Sequence, residues 1–138
     1  AMGVGIARRS LEVMNAYATE RKAFGSSLVE FGQIQRHIAE SYAEYMAGKT
    51  YLYDVSNKLD LDSTGNRLDT DGVKLYCTTM GKNVADRAIQ VLGGYGYMGE
   101  YRVEQMWRDA KLLEIGGGTL ESHHKNMVRE MAPMREMP

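Results

Sequence analysis

"VKLYCTTMGKNVADRAIQVLGG", residues 73–94, sets Val73, Tyr76, Met80, Val84, Ala88 and Val91 along one face at three- and four-residue spacing. Apolar residues at that spacing line up on one side of a helix, so the stretch predicts a long amphipathic helix. Gly93-Gly94 ends it, because glycine supplies the left-handed backbone at which helices commonly stop. Towards the N-terminus, Phe31, Ile34, Ile38, Tyr42, Tyr45, Leu52, Val55 and Leu59 form a second stripe. Val4, Ala7, Leu11, Met14 and Ala18 form another, with Arg8, Arg9 and Glu12 opposite. "FGSS" at 24–27 and "DLDSTGN" at 60–66 are the turns between these stripes. Towards the C-terminus, "VEQMWRDAKLL" (103–113) and "LESHHKNMVREM" (120–131) read as two shorter helices. Pro133 and Pro138 are the only prolines, so none interrupts these segments. No strand-like alternation of useful length, internal repeat or low-complexity tract is present. Long amphipathic segments joined by short turns predict an all-α fold: an antiparallel (up-and-down) four-helix bundle with short extra helices.

Bulk properties narrow the function. The chain has 138 residues, 43% apolar and 25% charged, enough for one domain with a sizeable core. Its formal net charge of -1 offers no broad basic field, so neither nucleic acid nor an anionic membrane is expected as a partner. With Cys77 as the only cysteine no intrachain disulfide can form, and a reducing compartment is the simpler setting. No apolar run is long enough for a membrane span. The opening "AMGVGIARRSLEV" is already in helical periodicity, which reads as a start inside a larger protein.

Several local patterns imitate known sites. Gly94, Gly96 and Gly99 in "GYGYMG" satisfy G-x-G-x-x-G, but a helix precedes them where a dinucleotide fingerprint needs a strand. "DLDSTGNRLDTD" resembles a calcium loop, with Asp60, Asp62, Thr64, Gly65 and Asp71 at loop positions one, three, five, six and twelve. Arg67 stands at a usually apolar position and Asp71 is too short for the bidentate glutamate, so a solvated loop is the better reading. His123 and His124 point about 100° apart on a helix, which makes surface histidines a better reading than metal ligands; no metal is expected. Cys77 reads as a small buried hydrophobe. The methionines, Met14, Met46 and Met80 among them, read as core filler, and "YAEYMAGKTYLY" (42–53) as bundle core. "LEIGGGTLES" (112–121) places Gly116, Gly117 and Gly118 in a row, giving a backbone that a ligand can approach closely but no group that transfers a proton.

Three blocks, taken in order, carry a resemblance. "ERKAFGSSLVEF" (20–31), "IQVLGGYGY" (89–97) and "RDAKLLEIGGGTLE" (108–121) resemble the C-terminal helical domain of acyl-CoA dehydrogenases. "EIG" before the last glycines and "LYDV" at 52–55 are most similar to the isovaleryl-CoA dehydrogenase type. The resemblance covers residues 1–131 as that domain and leaves 132–138 as a tail. It implies α,β-dehydrogenation of a short branched-chain acyl-CoA such as isovaleryl-CoA, FAD as cofactor, and electrons passed to electron-transferring flavoprotein. It also implies a homotetramer, working in the mitochondrial matrix or the bacterial cytoplasm. The same domain of a long-chain or other acyl-CoA dehydrogenase is the nearest alternative, and a non-catalytic helical oligomerisation module the alternative of another class.

Residue by residue, the resemblance assigns Arg21 to the FAD pyrophosphate of a neighbouring subunit and Phe24 to the same nucleotide. A permanently charged, forked guanidinium suits phosphate oxygens. Gln90, Val91, Leu92, Gly93 and Gly94 match the stretch whose backbone meets the neighbour's FAD. Thr119, Leu120 and Glu121 would line the flavin nucleotide, and Gly117 and Gly118 would border the acyl-CoA. Most family members carry the glutamate base where Gly117 stands. Isovaleryl-CoA and long-chain members take it from the helix leading into this domain, which places it upstream of Ala1. No catalytic residue is therefore expected within residues 1–138, and the chain alone is expected to be inactive. Three positions depart from the pattern: Gly32 stands for a frequent FAD-contacting glutamine, Leu120 for serine or asparagine, and "SHHK" (122–125) for an apolar-Arg sequence.

Overall fold

Each predicted stripe forms a helix: α1 (Met2–Glu20), α2 (Gly32–Lys58), α3 (Arg67–Leu92), α5 (Val103–Ile115) and α6 (Leu120–Met131), with a single-turn α4 (Gly94–Tyr97) after the glycine stop. The computed structural model describes residues 1–60, 62 and 67–136. Thr64 and Gly65, on which the calcium-loop reading depends, lie outside the described residues. No described helix is long and apolar enough to cross a membrane.

Helix α3 is the central element, packed against α1, α2, α5 and α6. Direction follows from the contacts. Gly3 at the start of α1 meets Cys77, Thr78 and Gly81, whereas Met14 and Ala18 near its end share a core with Ala88, Val91 and Leu92. So α1 and α3 run the same way. Helix α2 opposes α3: Arg87 forms a forked pair with Glu44 (2.9 and 2.7 Å), while Tyr51, a turn or two later, reaches back to Gly72. Helix α5 also opposes α3, with Glu114 beside Lys82 and Val103 in the core with Leu92. The order is up, down, up, down, as the stripes predict.

The diagonal pair nevertheless touches. A Cβ on Gly81 would stand 2.6 Å from the Gly3 carbonyl oxygen, and one on Gly3 would strike the Cys77 carbonyl. Two glycines thus let the α1 and α3 backbones meet where side chains normally keep diagonal helices apart. Two buried clusters flank this crossing. Val13, Met14, Ala18, Ala88, Val91, Leu92 and Val103 form one; Val4, Ala7, Cys77, Met80 and Val84 form the other. The Cys77 thiol donates to the Gly48 carbonyl (3.4 Å), and burial pushes its pKa up, which fits an inert packing residue.

Helix α2 corrects the sequence reading. Of its predicted stripe, Val55 is buried and Ile34, Ile38, Tyr45 and Leu52 pack partly buried against the core, but the other buried positions are Ser41 and Gly48, at seven-residue steps from Val55. Tyr42 and Tyr53 are 56% and 59% exposed, and Met46 and Leu59 are exposed as well. Gly48 lies against Met80 and Tyr76, so α2 comes close on its small residues, and Tyr42 and Tyr53 stand at its flanks. A second correction is a two-residue hairpin, β1 (Lys22–Ala23) against β2 (Ser26–Ser27). Phe24 and Gly25 form its tip with φ of 52° and 87°, the two positive angles of the turn that matches strand twist. Strands this short leave no alternation in the sequence to detect.

Candidate functional site

The residues assigned by resemblance fall into two groups at opposite ends of α3. Lys74 touches one group and Leu92 belongs to the other; the eighteen residue steps from one to the other along a continuous helix span roughly 27 Å.

The first group surrounds Arg21, which caps the end of α1 by donating its backbone N–H to the Tyr17 carbonyl (2.9 Å). Its guanidinium lies 6.0 Å from the Tyr95 ring centre, and no carboxylate pairs with it among the described residues. Tyr17, Tyr95 and Tyr101 pack mutually tilted or edge-on (5.4 to 6.2 Å between centres) beneath it. The aromatic triad went unseen in the sequence; Tyr95 and Tyr101 sit in the tyrosine-rich stretch after Gly94, but nothing local joins them to Tyr17. Arg21 and Gly94 share the wall of a shallow depression with Tyr17, Leu92, Tyr95 and Met98. Phe24, at the hairpin tip, is 98% exposed, its ring edge-on to that of Phe31 (6.4 Å between centres). A phenylalanine this bare, at a positive φ, is held out from the chain by its turn. Gln90 is exposed, whereas the Val91 and Leu92 side chains belong to the core, leaving only their backbone to meet a ligand. The glycines sort by cause. Gly96 is demanded by packing, since a Cβ there would stand 2.5 Å from the Ile89 carbonyl oxygen. Gly93 is demanded by its backbone, at φ 58° and ψ -130°. Gly94 is demanded by neither: a Cβ there meets open space.

The second group is the loop from Gly116 to Thr119. Gly117 and Gly118 take φ of 69° and 93°, the left-handed region in which glycine alone is unstrained. Thr119 caps α6, its hydroxyl accepting from the Ser122 N–H (3.4 Å). The Glu121 carboxyl is held below the ordinary carboxylate range by its own backbone N–H and by the Thr119 hydroxyl. Leu120 is half-buried, and its side chain offers the loop no polar group. Lys74 of α3 donates to the carbonyls of Leu113 (2.5 Å) and Gly116 (2.6 Å), tying the loop down from below. His123 is not the surface histidine expected from its helix position. Its side chain is 15% exposed, with Nδ1 2.7 Å from Asp71 Oδ1 and Nε2 3.3 Å from the Gly117 carbonyl; His124 is exposed. The pairing of Asp71 with His123 spans fifty-two residues and has no sequence signal. Just behind the loop, Glu114 is buried between Lys82 (3.0 Å) and Lys111 (2.6 Å), joining α3 to α5. Burial alone would raise its carboxyl pKa, but hydrogen bonds from Lys111 and Lys82 bring it below the ordinary range.

An unpaired guanidinium over aromatic rings and an uncovered phenylalanine suit a nucleotide diphosphate with an aromatic ring system. A glycine loop without an acid or base suits an acyl chain passing close to backbone. The chain belongs to the acyl-CoA dehydrogenases: residues 1–132 match the family described as "Acyl-CoA dehydrogenase, C-terminal domain". It is 39% identical over 128 residues to a mitochondrial isovaleryl-CoA dehydrogenase of Solanum tuberosum, covering 93% of this chain and 31% of that protein. It is 36% identical over 131 residues to cyclohexane-1-carbonyl-CoA dehydrogenase of Geobacter metallireducens, covering 95% of this chain and 34% of that one. In structure it resembles butyryl-CoA dehydrogenase of Megasphaera elsdenii, with a TM-score of 0.89 at 28% identity, over 94% of this chain and 34% of the other. The chain thus spans about a third of the length of the relatives it matches. Membership brings FAD as the cofactor.

Proposed function

We propose that the chain is the FAD-contacting, subunit-associating domain of an enzyme that dehydrogenates a short branched-chain acyl-CoA, such as isovaleryl-CoA, between Cα and Cβ. The observation that supports it is the division of the assigned residues between the two ends of α3, Arg21 and Phe24 open at one end and the Gly117–Gly118 loop at the other. One flavin cannot lie against both ends of a single bundle, so each end serves a different cofactor and copies of the chain must share them. Arg21 donates to the pyrophosphate oxygens of the neighbour's FAD, and Phe24 is covered by the same nucleotide. Gln90 adds a polar side chain beside it. The backbone from Val91 to Gly94 follows its surface, with Gly94 leaving the room for contact. At the other end Thr119, Leu120 and Glu121 border the chain's own flavin, and Gly117 and Gly118 leave space for the thioester. Bound FAD supplies the acceptor for the β hydride, and electron-transferring flavoprotein takes the electrons onward. The base is a glutamate on the helix leading into α1. The enzyme is a homotetramer of the mitochondrial matrix or the bacterial cytoplasm.

The experiment is made on the full-length enzyme. Glutamine in place of that upstream glutamate should leave FAD content and substrate binding nearly intact and lower turnover by about 10²–10⁴-fold, the usual weight of general-base catalysis. Turnover should be fastest with isovaleryl-CoA among acyl-CoA esters of increasing length. Full activity without the upstream carboxylate, or preference for a long straight chain, would count against the respective part of the reading. The separation of the two groups equally suits a helical association module without chemistry; a full-length protein that assembles but shows no flavin absorbance would be that case.

A further inference from the structure

His123, Asp71 and Lys74 have no place in the proposed chemistry, yet between them they hold the glycine loop. Lys74 fixes its near end through the Leu113 and Gly116 carbonyls. His123 reaches its centre, and both ring nitrogens face groups that only accept: a carboxylate oxygen of Asp71 at 2.7 Å and the Gly117 carbonyl oxygen at 3.3 Å. A neutral imidazole carries one N–H and one lone pair. It can satisfy one of these partners, and its lone pair then faces the oxygen of the other. With both nitrogens protonated, the ring donates to both. Side chains of His123 and Asp71 are 15% and 10% exposed, so water has little access to stand in. Among the described residues the remaining Asp71 oxygen is buried without a hydrogen bond, with Arg67 at 3.9 Å from it. Other titratable groups nearby are Lys74 on α3, Glu121, His124 and Lys125 on α6, and Tyr51 on α2, whose hydroxyl lies at Gly72. On α5, Lys111 and Glu114 are engaged with each other. The fit is close: a Cβ on Gly118 would stand 3.0 Å from His123 Nε2.

We propose that His123, anchored by Asp71, is a positioning residue for Gly117 and Gly118, gripping the loop when doubly protonated and releasing it as pH rises. The consequence for substrate rests on the reading of that loop as the acyl-CoA neighbour. The sign follows from the donors. In acid both bonds are made; as pH rises the ring loses a proton, keeps the stronger charged partner Asp71, and lets the Gly117 carbonyl go.

The test is an NMR pH series on the 138-residue chain, following the His123 ring nitrogens together with the backbone of Gly117 and Gly118. Two protonated ring nitrogens are expected in acid and one in alkali. In step with the change, the order parameters of the two glycines should fall from about 0.85 to below about 0.6, the values of rigid and flexible backbone. His123→Gln should leave the loop loose at every pH. His123→Arg, which donates at every pH, should keep it ordered and remove the pH response. A ring with one proton wherever the loop is ordered overturns the proposal, and so does a pH response that survives in His123→Gln; the wild-type measurement decides even if a variant fails to fold. In the full-length enzyme, His123→Gln should raise KM for acyl-CoA severalfold with FAD content unchanged. A loop response without any change in KM overturns the link to substrate, and with it the acyl-CoA reading of the loop, while the grip on the loop stands.

Discussion

Gly117 and Gly118 are adjacent and chemically identical, yet the structure asks different things of them. Both need positive φ, but a side chain at Gly117 has room, with Lys74 Nζ 3.8 Å from the added Cβ, whereas one at Gly118 runs into His123. Gly117→Ala should therefore lose about 1–2 kcal/mol, the strain of a left-handed L-residue. Gly118→Ala should lose more, because the imidazole must also move. Urea unfolding of the two variants beside the wild type checks the order. A glutamate at Gly117 meets the same strain but lies near Lys74, so in an enzyme lacking its upstream base it should restore only part of the turnover. Arg21 is the other residue that carries a measurable claim. Its guanidinium has no carboxylate partner among the described residues, so Arg21→Ala should leave folding of the chain nearly unchanged. In the full-length enzyme it should weaken FAD binding about tenfold to a hundredfold, the weight of a hydrogen bond to a charged group. Flavin titration measures the loss; unchanged flavin content would remove Arg21 from the cofactor site.

Helix pairs are set by small residues and, between α3 and α5, by a buried carboxylate. At the α1–α3 crossing, Gly81→Ala places a methyl against the Gly3 backbone, which has no side chain to swing aside. The helices must separate, and a loss of about 1–3 kcal/mol is expected, as for overpacking elsewhere. Gly94→Ala serves as the control, since its Cβ would meet nothing. Between α3 and α5, Glu114 has a depressed pKa. Its ion pairs therefore contribute fully above the carboxylate range of the unfolded chain, and the contribution is lost as pH falls through the lower value of the folded state. At pH 7, Glu114→Gln should destabilise by about 1–3 kcal/mol, limited because both lysines can turn their ammonium groups to water. The gap between variant and wild type in urea midpoint should close as pH drops below the ordinary carboxylate range. A gap that stays constant down to strongly acid pH would mean that packing, not charge, is what Glu114 supplies.

As a whole molecule the bundle is a spacer between two unlike ends. Arg21, Phe24 and Gly94 face outward at one, and the glycine loop at the other, with the core clusters and the glycine crossing rigidly between. The chain should fold without flavin, because its amphipathic faces cover one another. It should also show no turnover alone, since neither end brings a base to an acyl carbon. Acyl-CoA-dependent dye reduction by residues 1–138 would overturn that expectation, and near-ultraviolet dichroism without FAD checks the fold.

The helices and the family could be read from the chain alone. These follow from residues close together in the chain: the Val73-to-Val91 periodicity, the Gly93-Gly94 stop, and "RKAFG" and "GGGT" as short blocks. The last helix, Leu120–Met131, has the bounds read for it, and the structure adds the local reason for its start, the Thr119 cap. What was not legible depends on groups that meet across the bundle. Tyr42 lies on the apolar stripe and Tyr53 in the tyrosine-rich stretch read as core, yet both are exposed, because Gly48 and Ser41 decide how α2 is rotated against α3. His123 carries the spacing of a surface residue but pairs with Asp71, because α6 crosses the start of α3. Only the tertiary structure places Arg21 on a tyrosine triad and divides the assigned residues between two ends. Periodicity reports which face of a helix is apolar; the close approach of small residues decides what that face meets.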